Sequence, residues 1–170
     1  MGKKIGILSD THGFVATQLF SFFESCDELW HAGDWGDIHV VHELNKIAPV
    51  KGVYGNIDGA DIRATFPEVL NFTCEGLAIC MLHIGGYPGR YSPLFKQVLT
   101  QYTPDVMICG HSHILKVMRD AATGIMHINP GAAGNKGFHT FSTAIQLEVE
   151  DKRLQNLEVW EIKRTDLYNE

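Results

Sequence analysis

The sequence predicts an α/β protein in which two packed, mixed β-sheets are flanked by helices. A strand, a glycine-containing polar loop and a helix follow one another twice within the first 49 residues, and a third strand and loop come next. The second half contains strand-like segments separated by turn residues, which is typical of antiparallel pairing. With 45% hydrophobic residues, 170 residues suit one core, so we expect a single domain over 1–170.

The first half alternates strands with helices. Apolar residues favour a helix over 14–23, and they recur at helical spacing from Ile38 up to Pro49. Apolar runs that end in polar loops predict strands at 5–9, 27–31 and 50–54. Because open α/β sheets bind ligands at the carboxyl ends of their strands, the loops after these strands form the candidate site.

The second half begins with a predicted hairpin. Strand-like segments at 69–73 and 78–83 flank the turn Glu75-Gly76, and a glycine-rich loop over 84–91 follows. A helix is expected from Leu94 to a point before Pro104. Further strands are predicted at 105–109, 116–119, 125–129, 142–149 and 154–163.

Composition and charge disfavour several classes of protein. The net charge of −6 gives no field that attracts a long nucleic acid. The longest uncharged stretches, 76–89 and 121–135, are shorter than the ~20 apolar residues of a membrane span, so we expect no membrane partner. No leader pattern precedes the first strand, and the four cysteines occur singly, which favours buried thiols. We therefore expect a cytoplasmic protein.

Oxygen and imidazole donors follow five of the predicted strands. The candidate metal ligands are Asp10, His12, Asp34, Asn56, His83, His111 and His113. None is a thiolate, and donors of this kind suit Mn²⁺, our first choice, or Fe, Zn²⁺ or Ni²⁺. Seven ligands exceed what one tetrahedral ion needs. They match two divalent ions that share a carboxylate and clamp the attacking and leaving oxygens of a phosphoryl displacement.

Five motifs occur in a characteristic order: Asp10-Thr11-His12, Gly33-Asp34, Gly55-Asn56, a lone His83, and Gly110-His111-Ser112-His113. They resemble the calcineurin-like metallophosphoesterases, and within them the small bacterial and archaeal phosphodiesterases of the YfcE type, over 5–134. The resemblance implies an αββα sandwich with a dinuclear metal centre. One implied metal is held by Asp10, His12, Asp34 and His113, and the other by Asp34, Asn56, His83 and His111.

In the implied reaction, a hydroxide that bridges the two metals attacks phosphorus. Asp34 is the implied bridging ligand, and Asn56 can also donate its amide to a phosphate oxygen, so both are candidate catalytic residues. Many family members carry a histidine where this chain has Ile57, and that histidine is the usual candidate to protonate the leaving group. We therefore expect a preference for leaving groups that depart without a proton.

The 84–91 loop also departs from the family pattern, in which a glycine commonly follows the histidine directly, and it carries the candidate substrate-binding residues. Arg90 could clamp a phosphate and Tyr87 could stack on a base, although a surface turn with an exposed arginine fits as well. Asp37 and Asp58 are either partners of histidine ligands or solvated acids at helix starts. Trp35 is expected to border the site.

The remaining histidines are expected to be structural or exposed. They are His31, His39, His42, His127 and His139. His31 alone is a candidate to orient the site through a hydrogen bond, because it lies just before Gly33-Asp34.

The leading hypothesis is a metal-dependent phosphodiesterase for small phosphodiesters or nucleotide-like phosphoesters. The alternative is a non-catalytic protein-interaction scaffold of the same fold, resembling the small retromer subunit. The complete ligand set argues against that alternative. A nucleotide-binding domain without hydrolysis is weaker, because neither G-x-G-x-x-G nor a P-loop follows the first strand. A homo-oligomer is possible, although no stripe of residues demonstrates it.

Overall fold

The computed structural model describes residues 1–169, which form two five-stranded sheets and a small hairpin. The strands are β1 (Lys3–Leu8), β2 (Glu28–His31), β3 (Val50–Gly52), β4 (Val69–Cys74), β5 (Leu77–Leu82), β6 (Gly86–Tyr87), β7 (Arg90–Tyr91), β8 (Val106–Ile108), β9 (Leu115–Arg119), β10 (Met126–Pro130), β11 (Phe141–Glu150) and β12 (Arg153–Lys163). The helices are α1 (Gln18–Phe22), α2 (Ile38–Asn45), α3 (Ala60–Thr65) and α4 (Pro93–Val98), and a 3₁₀ turn covers Arg164–Asp166.

Each sheet contains three parallel strands, with antiparallel pairing at one edge of the first sheet and at both edges of the second. The first has the order β12-β11-β1-β2-β3, in which β1, β2 and β3 run parallel and β11 pairs antiparallel with β1 and β12. The second has the order β4-β5-β8-β10-β9, with β5, β8 and β10 parallel. Since the carboxyl ends of parallel strands share one edge of a sheet, each sheet directs a set of loops to one place.

Three apolar clusters hold the layers together. Successive side chains of β1 point to opposite faces of the first sheet and so belong to two different clusters. Ile5 and Ile7 belong to the cluster between the sheets, whereas Leu8 packs with the helices. In that outer cluster, Leu19 of α1 and Leu44 of α2 cover the first sheet. A third cluster, which includes the buried Phe95 of α4, covers the second sheet. The arrangement confirms the predicted αββα sandwich of two mixed sheets.

The predicted strands agree with the observed ones to within a few residues, whereas the helices are shorter than expected. The helix expected over 14–23 is observed only as α1. It does not begin at Phe14, because the amide of Phe14 bonds the carbonyl of Thr11 in the turn that leaves β1. The sequence pattern did not reveal α3, which is too short to show a helical period.

The 84–91 segment is not the open loop that its glycines predicted. It folds into the β6–β7 hairpin, in which Tyr87 pairs with Arg90 across a tight turn at Pro88 and Gly89. Gly89 has a φ of 83°, a value that only glycine adopts readily. A type II turn with proline at its second residue requires such a positive φ at its third residue, which is Gly89 here.

The cysteine prediction is confirmed, since Cys26, Cys74, Cys80 and Cys109 are all buried and free. Within residues 1–169, no helix combines the length and the apolarity that crossing a bilayer requires.

Candidate metal centre

Five loops bring all seven predicted ligands to one edge of the sandwich. Each loop follows a parallel strand: β1 leads to Asp10 and His12, β2 to Asp34, β3 to Asn56, β5 to His83, and β8 to His111 and His113. Contacts between these loops are close, since the amide of Asp10 bonds the carbonyl of Gly33 and the amide of Gly110 bonds that of His83.

Asp10, His12 and His113 form the first group of donors, whose candidate ligand atoms all lie within 4.8 Å of one another. The Nε2 atom of His113 is 3.2 Å from Oδ1 of Asp10, and Nε2 of His12 is 3.8 Å from the same oxygen. One carboxylate oxygen and two imidazole nitrogens therefore face a common point, as first-row divalent metals require.

Asp34, His83 and His111 form the second group, with the same 4.8 Å limit between their donors. Nδ1 of His111 lies 3.2 Å from Oδ1 of Asn56, which places the amide oxygen beside this group. Oδ2 of Asp34 is 3.2 Å from Nε2 of His83 and 3.7 Å from Nε2 of His12, a member of the first group. Asp34 thus stands between the groups, where a bridging carboxylate belongs.

The polar atoms of this cluster show that it fits a metal. Oδ1 of Asp10, Nε2 of His12 and Nε2 of His83 are buried, and nothing within residues 1–169 hydrogen-bonds to them. An unpaired buried polar atom costs about 1–3 kcal/mol, so three of them pointing at one another need a common partner. The ring of His83 is oriented for this purpose, because its Nδ1 donates to the carbonyl of Ala32 at 2.7 Å and leaves Nε2 free to ligate.

The carboxylates of the cluster are held in their charged form. Burial raises the pKa of Asp10, but the imidazoles of His113 and His12 beside its carboxylate outweigh burial and hold that pKa well below its usual range. The pKa of Asp34 is likewise lowered, because the imidazole of His83, 3.2 Å from its carboxylate, outweighs desolvation. Both side chains therefore offer anionic oxygen at neutral pH, as ligands of a divalent cation should.

Backbone strain is concentrated at the same residues. Five of the seven donors have a left-handed backbone, with φ between 47° and 70°: Asp10, His12, Asp34, His111 and His113. Such conformations cost non-glycine residues about 1 kcal/mol or more each, and they persist where the surrounding structure needs a particular side-chain direction.

Sequence comparison identifies the family. Residues 4–152 match the calcineurin-like phosphoesterase superfamily domain. The chain belongs to this metallophosphoesterase family. One relative, a probable metallophosphoesterase of Methanothermobacter thermautotrophicus, is 27% identical over 135 residues, which are 75% of this chain and 76% of the relative.

Solved structures show the same fold. Vacuolar protein sorting 29 from Cryptosporidium parvum superposes with a TM-score of 0.72 at 18% identity, over 95% of this chain and 98% of that one. A conserved uncharacterized protein from Streptococcus pneumoniae, described as a predicted phosphoesterase, gives a TM-score of 0.66 at 19% identity, over 97% and 91% of the two chains.

The glycines of the metallophosphoesterase motifs allow the loops to approach closely. A Cβ on Gly55 would lie 2.0 Å from Oδ1 of Asp34, and a Cβ on Gly110 would lie 2.0 Å from the hydroxyl of Ser9. That hydroxyl donates to Oδ2 of Asp10 at 2.6 Å. Any side chain at either position would displace a carboxylate of the cluster.

Asp58, for which the sequence left two roles open, connects two of the ligand loops. Its buried carboxylate accepts hydrogen bonds from the amides of Asp34 at 3.0 Å, Gly55 at 2.7 Å and Gly36 at 2.9 Å. It therefore fixes the loop after β2 to the loop after β3. Asp37, the other acid in question, is exposed and caps α2 by accepting from the amide of His39.

His31 also holds these loops in place, through hydrogen bonds of both its ring nitrogens. Its Nδ1 accepts from the amide of Gly33 at 3.1 Å, so Nε2 carries the proton that is donated to the hydroxyl of Thr11 at 2.9 Å. Burial lowers the pKa of His31 to about 3, which keeps the ring neutral. Trp35 does not border the site as expected: it is fully buried and stacks between His31 and Phe66.

The other histidines lie where they were expected. His39, His42 and His139 are exposed, and His127 is fully buried.

A cavity of about 430 Å³ adjoins the second donor group, and its wall includes Asn56, His83, Tyr54 and Arg63. The sequence analysis missed Arg63, whose guanidinium stacks on Tyr54 at 4.4 Å and donates to the carbonyl of Asp58 at 2.6 Å. A short helix holds Arg63, so no motif marked it. Arg90 is exposed on β7 and does not line this cavity.

Tyr87 lies in a smaller recess of about 110 Å³ beside His111. The substrate-binding roles of Arg90 and Tyr87 stay predictions.

Proposed function

We propose that this metallophosphoesterase is a metal-dependent phosphodiesterase that binds two divalent ions and acts on small phosphodiesters. The observation that carries the proposal is the pair of donor groups with Asp34 between them, 3.2 Å from His83 and 3.7 Å from His12. The proposed ligands are the seven predicted residues, with Asp34 shared. When bound, two such ions supply Lewis acidity and activate water for attack on phosphorus.

The residues of the chain then have distinct roles. Asp34 lies between the two donor groups and is the proposed shared ligand. Its Oδ1 accepts a hydrogen bond from the amide of Ile57 at 3.2 Å, which fixes the carboxylate. Asn56 presents its amide at the exposed rim of the cluster, where an N–H can hydrogen-bond a phosphate oxygen. The Ile57 side chain has no proton to give, so the proposal includes a preference for acidic leaving groups.

The experiment compares two chromogenic substrates. Chelator-stripped protein is titrated with Mn²⁺ against bis-p-nitrophenyl phosphate, a diester, and p-nitrophenyl phosphate, a monoester. We expect metal-dependent turnover of the diester that exceeds turnover of the monoester, with two Mn²⁺ bound per chain by elemental analysis. Fe, Zn²⁺ and Ni²⁺ are tested in the same format.

The decisive variant is Asp34→Asn, which keeps the shape but removes the shared anionic ligand. We expect turnover of the diester to fall at least 100-fold while the thermal unfolding curve shows that the variant is folded. Asp151→Asn is the matched control, because Asp151 lies in an exposed turn with a φ of 49°, which asparagine tolerates. Undiminished activity in Asp34→Asn would refute the proposal.

The alternative is a protein-interaction scaffold, and the shared fold with vacuolar protein sorting 29 is compatible with it. Purified protein that binds no metal and hydrolyses neither ester would favour the scaffold. The unpaired donor atoms of Asp10, His12 and His83 favour the enzyme, because a scaffold has no need of buried polar atoms without partners.

A further inference from the structure

The two larger cavities beside the candidate metal centre each contact a different donor group. We propose that they bind the two ester substituents of a phosphodiester, and that each substituent presents an apolar face to its cavity. The inference rests on the proposed function and deepens it, because it names the substrate class from the walls around the metal ligands.

The first cavity, of about 430 Å³, lies against Asn56 and His83. Its further walls include Ile84, Leu94, Pro93 and the ring of Tyr54. Apolar and aromatic groups of this kind bind an apolar substituent by excluding water from it.

The second cavity, of about 330 Å³, lies against His113 of the other donor group. Ile114, Leu115 and Phe141 contribute its apolar surface. These walls come from the start of β9 and the start of β11, whereas the first cavity is built from the loops after β3 and β5 and from α4. The two cavities therefore reach the cluster from different parts of the fold.

Three exposed isoleucines lie next to predicted ligands in the sequence. Ile57, Ile84 and Ile114 each follow a predicted ligand directly in the sequence, and their exposed fractions are 47%, 42% and 46%. Phe141, on the wall of the second cavity, is also 44% exposed. Exposed apolar side chains gathered around a functional site mark a binding surface. Two of the isoleucines line the cavities, Ile84 the first and Ile114 the second.

The first cavity also contains one residue of each charge, Glu68 and Arg63. The guanidinium of Arg63 donates to the carbonyl of Asp58 at 2.6 Å and stacks on the ring of Tyr54. A monoester would leave one of the two cavities unfilled, so a diester uses the surface better.

The test separates the two cavities with substrates that share one leaving group. Bis-p-nitrophenyl phosphate has two aryl groups, whereas methyl p-nitrophenyl phosphate has one aryl leaving group and a small retained group. Mn²⁺-loaded wild type is compared with Ile84→Ser and Ile114→Ser, one variant for each cavity. Leu157→Ser is the matched control, because Leu157 is 42% exposed on the edge strand β12 and lines neither cavity.

The variant that alters the leaving-group cavity should lower kcat/KM roughly three- to tenfold for both substrates. The variant that alters the other cavity should lower kcat/KM by a similar factor for the diaryl ester alone. Leu157→Ser should match the wild type. The proposal is overturned if both isoleucine variants keep kcat/KM within twofold for both esters, or if both lose activity equally on both esters.

A binding measurement keeps the inference separate from the proposed function. Titration calorimetry compares diphenyl phosphinate, which cannot be hydrolysed, with dimethyl phosphinate on the metal-loaded protein. Tighter binding of the diphenyl compound that weakens in Ile84→Ser and in Ile114→Ser supports the two-cavity site even if neither ester is turned over, in which case the phosphodiesterase proposal alone fails. Equal affinity for the two phosphinates overturns the two-cavity site whatever the activity.

Discussion

Replacing Asp58 with asparagine should loosen the metal centre without touching a ligand. The Oδ2 atom of Asp58 accepts from the amides of Asp34 and Gly55, and Oδ1 accepts from the amide of Gly36. An asparagine side chain has one oxygen and one NH₂ group. It can keep its oxygen on the Asp34 and Gly55 side, but the NH₂ group then faces the N–H of Gly36.

The size of the effect follows from these three bonds. One hydrogen bond to a charged acceptor is lost, at about 1.5–3 kcal/mol, and the other two lose their charge assistance. Asp58 is only 5% exposed, so water replaces the lost partner poorly. We expect a fall of about 2–4 kcal/mol in the free energy of unfolding, which corresponds to a Tm decrease of about 5–15 °C for a chain of this size.

The assay is thermal and urea unfolding of Asp58→Asn beside Asp61→Asn, with and without Mn²⁺. Asp61 is exposed, lies three residues further along the chain and accepts from the amide of Ile62 beside it, so its variant should change little. Because Asp58 bonds the amide of Asp34, the Mn²⁺ affinity of Asp58→Asn should also fall, by about 10- to 100-fold. A free energy of unfolding within 0.5 kcal/mol of wild type, with unchanged Mn²⁺ affinity, would show that Asp58 does not hold the two loops together.

Three further predictions concern the leaving group and the dependence of stability on pH. Ile57→His should increase turnover of diesters with alkyl leaving groups several-fold, because a histidine can protonate the leaving group, and it should leave turnover of p-nitrophenyl esters unchanged. Ile57→Phe, the control, should increase turnover of neither kind of ester. A panel of substrates measures both effects. Hydrogen bonds and ion pairs to Lys3 and Lys51 outweigh burial and lower the pKa of Glu28 to about 2. Glu28 therefore contributes stability that is complete above about pH 4.5 and is lost as pH falls towards 2. Acid titration of Glu28→Gln should reveal a loss of about 1–2 kcal/mol at neutral pH after allowance for screening at the exposed lysines. Burial lowers the pKa of His127 to about 4, so the unfolded chain takes up a proton below about pH 6.5 while the folded chain does not, and stability falls from there to pH 4. His127→Leu should flatten the stability curve over that window and raise stability by about 1–2 kcal/mol, because neither ring nitrogen has a partner within residues 1–169.

The candidate ligands could be found from the sequence because each lies in the loop that follows an apolar run. A run such as 5–8 predicts a buried strand, and a buried parallel strand can only end at the shared edge of its sheet, so Asp10 and His12 were brought beside Asp34 by topology alone. The same argument covers His83 and His111, which follow two neighbouring parallel strands, β5 and β8. The apolar runs placed the donors at strand ends, and the order of the five motifs, together with the chemistry of the donors, indicated that they form one centre.

The surroundings of the centre were not accessible in the same way. Arg63 is on a six-residue helix that has no visible period, and its interaction with the ring of Tyr54 joins residues nine apart through a turn. Trp35 looked like a rim residue because it follows Asp34, yet its indole turns inward, donates to the carbonyl of Val53 at 2.8 Å and stacks on His31. Side-chain direction at a loop depends on local φ and ψ, which the residue pattern of a single sequence does not report.

Strain, unpaired atoms and charge point to the same conclusion about what the centre is for. Five donors hold left-handed backbones, three donor atoms are buried without partners among the described residues, and the anionic Asp10 and Asp34 both lie within 4 Å of His12 and His83. The strain and the unpaired atoms each lower the stability of the chain, and the apolar core between the sheets offsets that loss. A cluster that serves stability would pair its polar atoms with one another. A cluster that leaves them free and gathers them in two groups fits divalent cations. In the proposed diesterase, the apolar side chains around it would select the phosphoester.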